Sequence, residues 1–250
     1  MPVLESGAPD LPRVARLPTY DTKDFPAIER VVPGYGVALK LPYRLRRLFE
    51  SGVAAVCIDS LELARYLPDF GGKSSGTMGV LHLHQDNFGD LEDMKRFLLL
   101  ANIDDAPRGA PTLIARPDAA RLILPTEYEA FKTLRTTLGK ERAYDGRFKI
   151  SERQYDRCFD TEHGFDDLVA ELLGQHDIDA YRLKLNVLVY LMRGPTAETI
   201  MRQILERYGH FLYAETWETT KVCIIDNTKV FHAKGIGVSD YLKRLFCTLY

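Results

Sequence analysis

The feature that most constrains the fold of this 250-residue chain is the triplet His84-Gln-Asp86 together with His232 much later. If residues 80–86 form a strand, its period of two places His82, His84 and Asp86 on one face. His84 and Asp86 can then bind one metal ion side by side, and His232 can complete the set. Two imidazoles and one carboxylate on one side of an octahedron bind Fe(II) and leave the remaining positions open. The fold must then bring two distant segments together.

His-x-Asp alone is a common pattern, and a lone His beside an Asp is usually a solvated or hydrogen-bonded pair. His82 competes with its neighbour for the metal. We favour His84, because it alone has a carboxylate two residues later. His82 is expected in the core or beside the ligands.

Composition indicates one domain without nucleic-acid contacts. A chain of 250 residues and 28.4 kDa with 46% hydrophobic residues can bury a substantial core, and we predict that residues 1–250 form a single domain. The formal net charge is −2 and the pI is about 6.3, with no long Lys/Arg block. Nucleic acid is therefore not an expected partner. The sequence leaves the oligomeric state open.

The four cysteines, Cys57, Cys158, Cys223 and Cys247, are widely dispersed. Neither a zinc pair nor a disulfide framework is indicated, so we expect buried free thiols and a cytoplasmic location. The N-terminal residues lack the layout of a signal peptide, and no apolar run is long enough to cross a membrane.

Pro and Gly residues divide the first half of the chain into segments. Residues 1–36 are predicted to be an extended arm or packed loop. A short amphipathic helix over 43–50 and a buried strand over 52–58 follow, and then a helix beginning at Ser60. The polar loop 71–76 leads to the His84 strand and is either a lid or a connector.

The second half alternates between strand and helix patterns. We predict a strand over 96–104, a strand turning into a short helix after Pro111, and a charged helical insertion over about 125–180. Strand character returns over 181–194, with some helix ambiguity. A helix then begins at Pro195 and ends at Gly209, and the tail is read as successive strands.

The order of the motifs resembles a known family. The HxD strand is followed by Gly109-Ala-Pro-Thr112, a helical insertion, the segment Asp226-Asn-Thr-Lys-Val-Phe-His232, and then Arg244. This order resembles that of the Fe(II)/2-oxoglutarate-dependent oxygenases, most closely the taurine dioxygenase and clavaminate synthase branch. The resemblance covers roughly residues 50–250.

The resemblance implies roles for individual residues. His84, Asp86 and His232 would be the Fe(II) ligands, Arg244 would bind the distal carboxylate of 2-oxoglutarate, and Thr112 would hydrogen-bond to this cosubstrate, with O2 as the second cosubstrate. A guanidinium suits this role, because it binds a carboxylate with two parallel hydrogen bonds. The turn reads GAPT where the family commonly has a second Gly and an acidic residue.

The resemblance also implies a fold and an activity. The fold would be a cupin-like double-stranded β-helix, a jelly-roll of two facing sheets with peripheral helices and the metal at its open mouth. The activity would be hydroxylation of a C–H bond in a small polar molecule, with release of succinate and CO2. Desaturation and ring closure are variants, and Asp86 disfavours halogenation.

The substrate is not readable from the sequence; we expect an amino acid or a specialised-metabolite intermediate. Candidate substrate contacts are Lys73, Ser74, Ser75, Asn87 and Asn102. Two other functions remain open. One is a cupin-like metal-dependent hydrolase or isomerase without 2-oxoglutarate, and the other is a catalytically silent jelly-roll binding module.

Overall fold

The structure is a computed structural model. It describes residues 15–17, 19–20, 27–32, 36–40, 43–59, 73–74, 79–86, 96–102, 110–134, 151–175, 179–192, 195–215, 217, 221–237 and 242–249. Within these ranges the strands are β1 (Ala15–Arg16), β2 (Thr19–Tyr20), β3 (Ala27–Val32), β4 (Gly36–Lys40), β5 (Ala55–Asp59), β6 (Lys73–Ser74), β7 (Leu81–His84), β8 (Phe97–Asn102), β9 (Thr112–Ala115), β10 (Leu212–Glu215), β11 (Lys221–Asp226), β12 (Phe231–Lys234) and β13 (Leu242–Leu249). The α-helices are α1 (Tyr43–Glu50), α2 (Pro117–Leu134), α3 (Glu152–Asp160), α4 (Gly164–Leu173), α5 (Ala180–Leu191) and α6 (Pro195–Tyr208), and a 3-10 helix (Gly209–Phe211) follows α6.

The strands form two sheets. Sheet A has the order β1-β10-β9-β12-β7, and sheet B has the order β2-β5-β11-β8-β13-β4-β3, with β6 also paired to β13. Most pairings are antiparallel; β1 with β10, β2 with β5 and β4 with β13 are parallel. The predicted combination of β-sheets with helices is confirmed.

The protein has three layers, which are sheet B, sheet A and the helices, and an apolar cluster lies on each side of sheet A. One lies between the sheets and joins Ile114 of sheet A to Leu98 and Leu100 of sheet B. The other lies on the opposite face of sheet A, where Leu113 and Phe231 pack with residues of the helices. Alternate residues of the sheet A strands therefore face either sheet B or the helical layer.

The N-terminal arm is part of both sheets. Its described segments form β1, which pairs with β10 in sheet A, and β2, which pairs with β5 in sheet B. β3 and β4 extend sheet B beyond β13. The prediction of an extended arm or packed loop therefore missed these strands, because β1, β2 and β4 each pair with a strand from a later part of the chain.

The helical region is longer than the predicted insertion over about 125–180. It begins at Pro117 and continues through α6, and α2 runs without interruption past Pro125. The predicted strand over 181–194 is wrong: residues 180–191 form α5. This helix packs against β7, α2 and α4, so most of its side chains are buried. A helix buried on most sides lacks the one-sided apolar pattern that identifies helices in a sequence.

Cys57 and Cys223 form a disulfide, which corrects the expectation of free thiols. The two residues are directly paired on β5 and β11, with their Cα atoms 4.2 Å apart. Such a pair depends on the register of strands 166 positions apart in the chain, which cysteine spacing does not show. Cys158 remains a buried free thiol, and burial raises its pKa to about 12.

Among the described residues, no helix combines the length and apolar character that crossing a bilayer requires.

Reduction of the Cys57–Cys223 bond is expected to lower the free energy of unfolding by about 2–4 kcal/mol, because a cross-link restricts the unfolded chain. Urea denaturation with and without a phosphine reductant measures this difference. Cys158→Ser should keep the response to the reductant, and Cys57→Ser should abolish it. Equal stability of the oxidised and reduced proteins would contradict the prediction.

Candidate metal centre

His84 and His232 lie side by side on neighbouring strands. β7 and β12 are antiparallel, and the Cα atoms of the two histidines are directly paired. Their ring centroids are 4.4 Å apart. On its other side, His232 pairs with Ile114 of β9, which belongs to the apolar cluster between the sheets. The two imidazoles therefore lie on the face of sheet A that is directed toward sheet B.

Asp86 follows the end of β7 by two residues, and its carboxylate lies beside both imidazoles. Nε2 of His84 is 3.9 Å from Oδ1, and Nε2 of His232 is 3.5 Å from Oδ2. One donor atom from each of the three side chains lies within 4.8 Å of the others, and all three side chains are buried. The structure thus brings the three predicted ligands together.

A hydrogen bond sets the tautomer of His84. Its Nδ1–H donates to the backbone carbonyl of His82 at 2.8 Å. Because a carbonyl can only accept, Nδ1 carries a proton, and in the neutral ring Nε2 keeps its lone pair. Nε2 is the nitrogen nearer Asp86, so the ring is oriented as a metal ligand requires.

The donor set fits a divalent metal ion. Adjacent ligands of an octahedral ion with bonds of about 2.1 Å are about 3 Å apart, so shifts of about 1 Å would complete the arrangement. Two imidazole nitrogens and one carboxylate, without a thiolate, suit Fe(II) and related ions. His232 Nδ1 has no hydrogen-bond partner within the described part of the chain. The orientation of the His232 ring is therefore supported by packing, including its contact with the His84 ring.

The side chain of Asn227 holds the backbone of Asp86. Its Oδ1 accepts from the Asp86 N–H at 3.0 Å, and its Nδ2–H donates to the Asp86 carbonyl at 2.9 Å. Asp86 lies beyond the strand, so these two bonds take the place of a sheet ladder there. The sequence suggested only a turn at Asp226-Asn227, and the role of the amide was missed.

Gln85 ties the ligand triplet to the same turn. Its Nε2–H2 group donates to the carbonyls of Asn227 and Val230 at 2.7 and 3.1 Å. Its backbone N–H donates to Oδ1 of Asn186 on α5 at 3.0 Å. The middle residue of the HQD triplet is therefore a buried structural anchor. The available signal for Asn186 was a single Asn within an apolar run.

His82 does not share the face of His84, which corrects the prediction from strand alternation. Its ring contacts Glu127 of α2 and the Ala197 carbonyl of α6, both in the helical layer. The cause is a register shift, because His232 pairs with His84 whereas Lys234 pairs with Leu81. The extra residue on β7 breaks the alternation. The expectation that His82 is a core residue is confirmed.

Thr112 is buried on β9, two residues from Ile114, and its Oγ1 accepts from Trp217 Nε1–H at 3.0 Å. Its Cα pairs with those of Glu215 and Lys234. Its hydroxyl hydrogen can still donate to another group.

The turn before Thr112 packs closely against residues 235–237. Gly235 N–H donates to the Pro111 carbonyl at 2.8 Å. A Cβ at Gly237 would approach the Ala110 Cα to 2.8 Å, so glycine is required there.

The other predicted residues that the structure describes lie on strands of sheet B. The backbone of Arg244 pairs with Leu100 on one side and Lys73 on the other, and Ser74 pairs with Lys243. Leu100 belongs to the cluster between the sheets. Asn102 pairs with Leu242 at the end of β8. Ser75 and Asn87 lie outside the described residues.

A second buried group, Cys57, Glu215 and Cys223, also has donor atoms within 4.8 Å of one another. Its two sulfurs are bonded to each other, so as it stands the group offers one carboxylate and no thiolate. It is therefore not a second candidate metal centre.

No protein-family model matches the chain, and no curated protein matches it in sequence. Among solved structures it is similar to PvcB, an Fe, alpha-ketoglutarate dependent oxygenase from an isonitrile synthetic pathway (16% identity, 89% of this chain and 90% of that chain, TM-score 0.35); a second PvcB structure is from Pseudomonas aeruginosa.

It is also similar to OrfP, a non-heme iron oxygenase solved with Fe, succinate and (3R,4R)-dihydroxy-L-Arg (12% identity, 83% and 81% coverage, TM-score 0.38). A further similar structure is AAD-2 with Mn(II) and N-oxalylglycine (15% identity, 88% and 96% coverage, TM-score 0.37). Scores this low do not establish a shared fold, so the interpretation of the site rests on its own geometry.

Asn227→Ala is expected to lower the free energy of unfolding by about 2–4 kcal/mol, because two buried backbone groups of Asp86 lose their partner. Chemical denaturation measures the loss. Thr228→Ala in the same turn removes a bond from a half-buried hydroxyl to Asp226 and should cost about 1 kcal/mol or less. Equal losses in the two variants would show that the amide does not hold Asp86.

Proposed function

We propose that this protein is an Fe(II)- and 2-oxoglutarate-dependent oxygenase that hydroxylates a small polar substrate. The observation that carries the proposal is the buried convergence of His84, Asp86 and His232, with donor atoms within 4.8 Å of one another and His84 Nε2 directed to the carboxylate. Two imidazoles and one carboxylate leave the other positions of an octahedral ion free for a cosubstrate and O2.

His84, Asp86 and His232 would hold the ferrous ion. When bound, the ion and 2-oxoglutarate supply O2 activation coupled to oxidative decarboxylation, which yields succinate, CO2 and an oxidised substrate. The chain's own contribution is to present neutral imidazole nitrogens and to limit the access of water. The hydrogen bond from His84 to the His82 carbonyl serves the first task, and the burial of all three ligands serves the second.

Arg244 would bind the distal carboxylate of 2-oxoglutarate, and Thr112 would donate a hydrogen bond to it. Support for Arg244 comes from its register on β13, next to Leu100 of the inter-sheet cluster. A guanidinium binds a carboxylate through two parallel hydrogen bonds. Thr112 lies on β9, which pairs with the His232 strand, and keeps a hydroxyl hydrogen available.

We further infer that the two sheets form a double-stranded β-helix, or jelly-roll, as a single domain with peripheral helices. Support comes from the mostly antiparallel pairing, from the apolar cluster between the sheets and from the placement of β7 and β12 together in one sheet. The metal would lie between the sheets near the end of β7.

The substrate is proposed to be an amino acid or a specialised-metabolite intermediate. Lys73 is placed beside Arg244 by the pairing of β6 with β13, and an ammonium group there would favour an anionic substrate. Ser74, Ser75, Asn87 and Asn102 are further proposed contacts. Because Asp86 supplies a carboxylate to the metal, hydroxylation is favoured over halogenation.

Asp86→Ala is expected to weaken Fe(II) binding by more than about 100-fold and to abolish succinate release, because it removes the only anionic ligand. Anaerobic titration with Fe(II) and 2-oxoglutarate measures binding through the visible charge-transfer absorption of the chelate. His163→Ala removes an exposed histidine far along the chain and should leave both readouts unchanged. Metal-dependent hydrolysis or isomerisation without succinate, or the absence of metal binding in the unaltered protein, would refute the proposal.

Arg244→Ala is expected to raise the 2-oxoglutarate concentration for half-saturation at least about tenfold, because a charge-assisted bond is lost. Fe(II) affinity without cosubstrate should stay unchanged. Lys243→Ala is the matched control, since strand alternation places Lys243 on the opposite face. An equal effect of the two substitutions would remove Arg244 from the cosubstrate site.

A further inference from the structure

A buried pair joins the helical layer to the ligand strand. His82 Nδ1 and Glu127 Oε1 share a hydrogen bond of 3.0 Å, and neither side chain is exposed to solvent. His82 Nε2–H donates to the Ala197 carbonyl at 3.1 Å. The ring is thus held at both nitrogens, by α2 on one side and by α6 on the other.

Burial of this pair has a cost in free energy. Burial of an ionisable pair removes both groups from water, and apolar residues of similar volume often serve stability equally well. Glu127 Oε2 has no hydrogen-bond partner among the described residues, which adds to the cost. Stability alone is therefore a poor account of Glu127.

The position of the His82–Glu127 pair beside the candidate ligands gives a better reason for a buried carboxylate there. The carbonyl of His82 accepts the Nδ1–H of His84 and so leaves Nε2 of His84 as the donor to a metal. At this point the pairing of β7 with β12 is irregular, because one residue of β12, Ala233, lies opposite two of β7, His82 and Leu83. A bulge leaves the direction of a carbonyl less firmly set by the ladder. At the same point, the ring of His82 is held at both nitrogens.

We propose that Glu127 is a positioning residue that acts through His82. By fixing the His82 ring, Glu127 holds the His82 carbonyl where it receives the His84 Nδ1–H, and so presets His84 for coordination. The inference rests on the proposed metal role of His84. Glu127 contacts neither metal nor substrate in this scheme.

The test compares Glu127→Leu, which removes the acceptor, with Glu127→Gln, which keeps an amide oxygen at its place. Imidazole ¹⁵N resonances of the metal-free protein report the tautomer of His84, and titration with Co(II) reports metal affinity. We expect the unaltered protein and Glu127→Gln to hold His84 as the Nδ1–H tautomer. Glu127→Leu should show a mixture of tautomers and about tenfold weaker Co(II) binding, the loss typical when the partner of a ligand is removed.

Tyr128→Phe is the matched control. It removes the hydrogen bond from Tyr128, the neighbour of Glu127 on α2, to Asp166 of α4, so it should lower stability without changing the His84 tautomer or the Co(II) affinity. If the Leu variant does not fold, Glu127→Met takes its place, because a flexible thioether adapts to the cavity.

The outcomes are distinguishable. An unchanged His84 tautomer and unchanged Co(II) affinity in Glu127→Leu or Glu127→Met would overturn the positioning role. So would an equal loss in Tyr128→Phe, since the effect would then follow stability alone. If the unaltered protein binds no metal but its His84 tautomer depends on Glu127, the proposed oxygenase function fails while the positioning role stands.

Discussion

The pairing of His84 with His232 across β7 and β12 is the constraint on which the candidate metal centre depends. Because side chains alternate along a strand, a slip of one residue would turn His232 toward the helices. Burial of Phe231 and Ala233 against the helical layer opposes that slip, since their burial specifies which face of β12 carries His232. The apolar packing on one face of sheet A therefore determines the position of the polar groups on the other.

The third ligand is positioned by different means. Asp86 lies beyond the end of β7, where no ladder continues, and the amide of Asn227 satisfies both of its backbone groups. Gln85 adds two bonds to the same turn. The hydrogen bonds that these buried amides make favour one arrangement over its alternatives, because a displacement would leave further polar groups without partners. A carboxylate that must reach two imidazoles at once benefits from this specificity.

The sequence predicted those features that depend on residues close together in the chain or on the order of motifs. His84, Asp86 and His232 were recognised from local spacing and motif order, and the structure brings them together. Helix α5 was mistaken for a strand because burial on most sides removes its periodic signal.

The Cys57–Cys223 bond and the displaced ring of His82 escaped detection for another reason. Both depend on the register between strands from distant parts of the chain, and no local pattern encodes that register.

Sheet B supplies none of the three candidate ligands, yet it sets the position of one of them. β11 lies between β5 and β8, and the Cys57–Cys223 bond ties it to β5 three residues before Asp226. At its end, the N–H groups of Asp226 and Asn227 donate to the carbonyls of Ala54 and Arg96, each at 2.7 Å. The Asn227 side chain therefore extends from a backbone that is fixed on both sides. Sheet A orients the two imidazoles and sheet B orients the carboxylate. The geometry of the candidate metal centre therefore depends on the distance between the sheets, and the apolar cluster between them maintains that distance.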